Sequence, residues 1–235
     1  MSAATMVHEV RCVVFRIIDD PDTDAATGAP RLAVLLWQRG IEPQAGTWSL
    51  PGGALGADED LTTSARRQLA EKVDLREVAH LEQIATFSDP GRMPGPRAIA
   101  STYLGLVPVD SATELPADTR WLPVDALPTM SFDHRSMVDL ARSRLAAKMS
   151  YTNIAFALAP HQFPMSALSE IFRATLGYPV DATNLLRILS RRGVVETTGT
   201  VGRTGRSGGR PPALYRFTDN RLRVTDEFAT LRPPP

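Results

Sequence analysis

Two stretches of this chain carry side chains spaced to do chemistry. The first lies between residues 58 and 75. If it is helical, Arg67, Gln68, Glu71 and Lys72 share one face, because residues three and four apart are neighbours on a helix. Two cations, a carboxylate and an amide therefore gather on one side of that helix. The second stretch runs from Arg187 to Arg216 and holds seven arginines against one acid, Glu196. Arg187 and Arg191 stand four apart, and a helix with that layout can enter the major groove of DNA. Thr183 and Asn184, at the start of that helix, are candidate base readers, and Arg192 extends the basic face. Arg203, Arg206 and Arg210 sit in a glycine-rich segment and are placed to hold phosphates.

Other chemistries are poorly represented. The four histidines are scattered, and no Cys, second His or carboxylate sits at metal-ligand spacing from His134, so no zinc site is expected. Cys12 is the only cysteine, which excludes an intrachain disulfide. It lies in the apolar run 10–14 and reads as an inert core residue.

The elements that must position these groups follow from apolar spacing and turn residues. Trp48 and Leu50 form a short extended run, and Pro51-Gly52-Gly53 turns the chain. A helix starting near residues 58–60, where acids suit an N-terminus, buries Leu61, Ala65, Leu69 and Val73. Before it, 9–18 and 32–37 read as strands, the second ending beside Arg39. After it come strands over 80–87 and 98–107, joined by a Pro/Gly-rich loop that bears Asp89 and Arg92. They fit a hairpin across a site. A last short strand spans 119–124. Asp133 can cap a helix over 134–148 whose stripe is Met137, Leu140, Ala141 and Leu145.

Charge divides the chain. Residues 1–149 hold 15 Lys+Arg and 20 Asp+Glu, and residues 150–235 hold 11 and 6. An acidic half joined to a basic half implies two tasks and a polyanionic partner for the second. The basic half reads as a short apolar helix at 152–158, a helix at 167–176 ended by Gly177, and a third at 182–192 capped by Asp181. Two strands follow, at 194–198 and 213–217. Three helices and a hairpin make a winged helix-turn-helix. The domains are expected at 1–149 and 150–220, with a tail at 221–235. The chain has no signal-like start and no run of 18 apolar residues, so a cytoplasmic protein with no membrane partner is expected.

The central stretch resembles the Nudix box. Gly53, Glu59, Arg67, Leu69, Glu71 and Leu75 match its pattern at the right spacings, while Gln68, Lys72 and Asp74 stand where the family has Glu, Glu and Gly. In active members the helix carboxylates hold magnesium against a pyrophosphate, and here one of three remains. The resemblance therefore implies a catalytically degenerate domain with no metal and no catalytic residues. Gln83-x-x-Thr-Phe-x-Asp-Pro-x-Arg92 and Phe132-Asp133-His134 resemble segments of the Nudix-related transcriptional regulators of NAD metabolism, and so does Gly209 to Phe217. This likeness covers roughly residues 8–218. It implies an α/β (α+β) Nudix sandwich followed by a winged helix, with ADP-ribose or a related nucleotide as effector. The ligand contacts it suggests are Arg39, Trp48, Glu71, Lys72, Phe87, Asp89, Arg92 and His134.

By the same likeness, the partners are double-stranded DNA with an inverted repeat and a second copy of the chain. The function implied is a regulator, and more specifically a repressor, of NAD biosynthesis or salvage genes. An active Nudix hydrolase cleaving ADP-ribose is the alternative, and an RNA-binding module is a third reading.

Overall fold

A computed structural model describes residues 6–19, 28–112, 114–202 and 211–228. The chain divides into two compact units. One gathers residues up to 16, 33–107 and 111–144, and the other 17–32, 108–110 and the residues from 145 onward.

The first unit is built on a seven-stranded mixed sheet. Its strands are β1 (Val7–Ile18), β2 (Arg31–Gln38), β3 (Trp48–Ser49), β4 (Gly52–Ala54), β5 (His80–Phe87), β6 (Ala98–Leu106) and β7 (Thr119–Pro123). The order is β3-β2-β1-β6-β5, with β4 added to β1 and β7 to β2. Only β1 and β6 run parallel among the pairs described, in register from Val7 opposite Ala98 to Phe15 opposite Leu106. On one face Val10, Cys12, Val14, Leu35 and Tyr103 meet Ala65, Leu69 and Val73 of helix α1 (Leu61–Val73). This is the stripe its four-residue spacing predicts. Burial pushes the Cys12 thiol up to about 12, in keeping with a core role.

Local chemistry sets the ends of α1. The Asp60 carboxylate accepts a hydrogen bond from the Thr63 amide, and Asp74 closes the helix in the left-handed region at φ 49°, ψ 32°. Helix α2 runs from His134 to Tyr151, three residues beyond the expected end. Its buried residues include Met137, Val138, Ala141 and Leu145. Leu140, expected in the stripe, is 41% exposed because it points off the covered face.

In the second unit the expected helix at 152–158 is a four-residue 3-10 turn, Ile154–Ala157. Thr152 interrupts the helix by bonding the Lys148 carbonyl and the Ile154 amide through its hydroxyl. Asn153 is engaged with the later chain, donating to the Asp219 and Arg221 carbonyls and accepting from the Arg223 amide. Helices α3 (Met165–Leu176) and α4 (Ala182–Arg191) follow, then the antiparallel strands β8 (Val195–Val201) and β9 (Ala213–Phe217). Gly177, at φ 84°, closes α3, and the Asp181 carboxylate caps α4. Leu185 and Leu189 of α4 are buried, whereas Leu186, expected beside them, is half-covered on the flank.

Candidate effector site and nucleic-acid interface

The box residues of α1 are committed to one another. The Arg67 guanidinium donates from Nε to Glu59 at 2.9 Å and from a terminal nitrogen to Glu71 at 3.1 Å. Glu59 also accepts from the Gly56 amide, and hydrogen bonds from Arg67 first and Gly56 next hold its carboxyl down to about 2. Gln68 is buried, and its carboxamide fills the space a Cβ on Gly53 would need, at 2.7 Å. Lys72 lies with its ammonium 5.8 Å from the Trp37 ring centroid, in cation–π range.

These donors do not fit a magnesium ion. A hard divalent cation needs several converging oxygens. The two carboxylates here already neutralise an arginine, the third position is a buried amide, and the fourth is a cation. No group of three potential metal ligands exists among the described residues.

A second polar cluster is buried where β1 meets the start of α2. Arg92 donates to both carboxylate oxygens of Asp133 at 2.9 Å each, and its remaining nitrogen reaches Glu9 at 3.1 Å. Glu9 in turn accepts from Arg11 at 2.8 Å. The sequence reading missed Glu9 and Arg11. Their signal was two opposite charges at alternate positions, just before the apolar run 12–15 of the same strand. Arg92, expected at the ligand, is instead 2% exposed in its side chain and fully engaged within the protein. Asp89 explains how it gets there: its carboxylate accepts from the Gly91 amide at 2.7 Å and turns the loop, which directs Arg92 inward.

His134 is fully buried. Its Nδ1 accepts from the Leu50 amide at 3.2 Å, so the ring proton sits on Nε2, which has no partner among the described residues. Burial foremost, and then Arg11, Arg92 and Arg39, hold its pKa well below the usual histidine value, so the ring is neutral. Expected as a ligand contact, it is enclosed by the protein on every side.

Phe132, at φ 50°, presents its ring to Arg39, whose guanidinium carbon lies 5.2 Å from the ring centroid. The Gln44 side chain holds the Phe132 amide at 2.9 Å. Strained residues bridged in this way are found at ligand clamps. Trp48 is half-exposed on β3, paired with Gln38, and Phe87 is half-exposed at the end of β5 opposite Ala100. Arg39, Trp48, Phe87, Glu71 and Lys72 therefore keep exposed surface, and Arg92 and His134 do not.

In the second unit α4 presents Thr183, Asn184, Arg187 and Arg191 to solvent. Arg187 donates to the Asn184 side chain at 2.7 Å, which sets the two as one polar unit. Arg192 does not join this face. It donates to the Asp226 carboxylate and to the Ser150 carbonyl, and its side chain is 13% exposed. The helix ends at Arg191, and Arg192, its C-cap, is one step further round, where it meets Ser150 and Asp226. Arg203, Arg206 and Arg210 lie outside the described residues.

Comparison with known proteins agrees with this arrangement. Residues 13–141 match the NUDIX domain family, and residues 155–217 match the NrtR DNA-binding winged helix domain. The chain is 31% identical over 194 residues to an ADPR responsive transcriptional repressor of Acinetobacter baylyi, covering 80% of this chain and 76% of that one. Its fold is similar to the crystal structure of Shewanella oneidensis NrtR, with TM-score 0.73 and 26% identity, covering 90% of this chain and 94% of the other. It is also similar to that protein solved with a 27mer DNA, with TM-score 0.71 and 27% identity, covering 89% and 93%. The protein belongs to the NrtR-type family of transcriptional regulators, in which a Nudix domain is joined to a DNA-binding winged helix.

Proposed function

We propose that this protein is a cytoplasmic repressor of NAD biosynthesis or salvage genes, released from DNA by ADP-ribose or a closely related nucleotide. The observation that carries the reading is the pairing of a box unsuited to magnesium with an arginine-bearing helix face. A relative of 31% identity is named for its response to ADPR and for repression, which supports both halves. Arg39, Trp48, Lys72 and Phe87 are the side chains assigned to the effector, with Lys72 opposing the diphosphate charge. Arg92 and His134 support the wall behind them. Thr183, Asn184, Arg187 and Arg191 read DNA, and the wing arginines follow the backbone.

One winged helix reads few bases, so the working form is a homodimer on an inverted repeat. Effector binding alters the spacing of the two DNA-reading units. It can do so only by its difference in affinity for the two states. The deciding experiment retains sheared genomic DNA on the immobilised protein and elutes with ADP-ribose. Release of fragments sharing an inverted repeat near NAD-metabolism genes supports the reading, and elution by salt alone removes the effector assignment. The retained Glu59, Arg67 and Glu71 favour one second reading, ADP-ribose hydrolysis, which magnesium-dependent release of AMP would revive.

A further inference from the structure

The head of α4 borders a recess of about 270 Å³. Its walls run from Met165 at the start of α3, across Ala182, Thr183 and Leu186, to Pro212 and Ala213 at the base of β9. Carbon dominates these walls, in a unit whose outward groups are otherwise rich in arginine. Leu186 is the telling residue. Its neighbours Leu185 and Leu189 are buried in the core, yet Leu186 stays half-covered and lines the recess. Thr183 and Ala213, on the same lining, are exposed. Asn184 and Arg187, joined at 2.7 Å, are exposed on the same helix and adjoin Thr183 and Leu186 in sequence.

Ser166, Thr183 and Tyr215 are the only lining residues with a polar side-chain group and none is a cation, so a phosphate placed there loses water and meets no counter-charge. The base edges in the major groove offer one apolar group, the C5-methyl of thymine. We propose that the recess seats a thymine methyl, so that the protein reads a T·A pair in each half-site by apolar fit beside the polar contacts of Asn184 and Arg187. The inference rests on the reading of α4 as the helix that enters the groove.

The test uses the full-length protein and duplexes enriched by selection from random DNA. Each thymine of a half-site is replaced in turn by deoxyuridine, which removes only the methyl. One position, or two adjoining ones, is expected to raise Kd about fourfold, the effect of exposing one buried methyl. Ala213→Met fills the recess from an exposed strand position and leaves the core untouched. It is expected to erase the difference between thymine and deoxyuridine at that position. Two results overturn the proposal: no position responds by more than twofold, or Ala213→Met keeps the full difference. An Ala213→Met that weakens every duplex alike, with no thymine effect in the unsubstituted protein, overturns it as well and places the recess against the DNA backbone. Failure to enrich any sequence removes the reading of α4, and the proposal with it.

Discussion

Arg92 grips Asp133 through both carboxylate oxygens, 41 residues apart in sequence and 2.9 Å apart in space. The same guanidinium reaches Glu9 on the first strand. Removing it leaves the Asp133 carboxylate without its cation and Glu9 with Arg11 alone. Arg92→Met is therefore expected to cost ~3–5 kcal/mol of stability, measured by urea unfolding at neutral pH. A cost below ~1 kcal/mol would show that the cluster is incidental to the fold.

Two carboxylates make stability depend on acid. Burial works to raise the Glu9 pKa, but Arg11 and Arg92 overcome it and leave it below 4.5. Glu59 is held down to about 2 by Arg67 and the Gly56 amide. A group whose folded pKa lies below its unfolded one stabilises above the unfolded value and loses that contribution as pH falls through the folded value. Unfolding free energy is therefore expected to drop between pH 4.5 and about 2, and Arg67→Ala to flatten part of that drop. Urea titrations of both proteins at pH 7, 5, 4 and 3 check this.

Lys72 stands where a metal-binding carboxylate would repel a bare diphosphate. Lys72→Glu is expected to weaken ADP-ribose binding in EDTA by about tenfold, on the order of one charge-assisted contact. Titration calorimetry reads the change, and unchanged affinity would remove Lys72 from the site.

Asp74 occupies a left-handed position that costs an L-residue energy and a glycine none. Asp74→Gly relieves this at the cost of a surface pair with Arg76, which contributes little. A gain of ~0.5–1 kcal/mol is expected in thermal unfolding, with effector affinity unchanged. A loss of stability would mean the Asp74–Arg76 pair outweighs the backbone strain.

Arg187 and Arg192 are five positions apart and are expected to behave differently. Arg187→Ala should weaken DNA binding and reduce the slope of log K against log salt by roughly one unit if the side chain meets a phosphate. Arg192→Ala should leave that slope unchanged and lower Tm, because it breaks a largely enclosed pair with Asp226. Binding isotherms at four salt concentrations, with a melting curve for each variant, separate the two. A shallower slope in Arg192→Ala would return that residue to the DNA face.

Much of this protein was legible locally. Asp60 and Asp181 announce the starts of α1 and α4, because a short carboxylate caps a helix regardless of what lies across the fold. The four-residue apolar spacing of α1 gave its buried face, and the arginine-rich segment with its helix gave the winged helix. Proximity in space decided the rest. Glu9, already paired with Arg11, became a partner of Arg92 because the fold brings a loop 83 residues distant from Glu9 against the first strand, and no spacing rule encodes that approach. Arg191 and Arg192 are identical in type and adjacent in sequence, yet the helix ends between them and sends one to solvent and the other to Asp226. Leu185 and Leu186 part in the same way, one to the core and one to the recess. A side chain's type sets what it can bind, and the neighbours that the tertiary fold supplies set what it does bind.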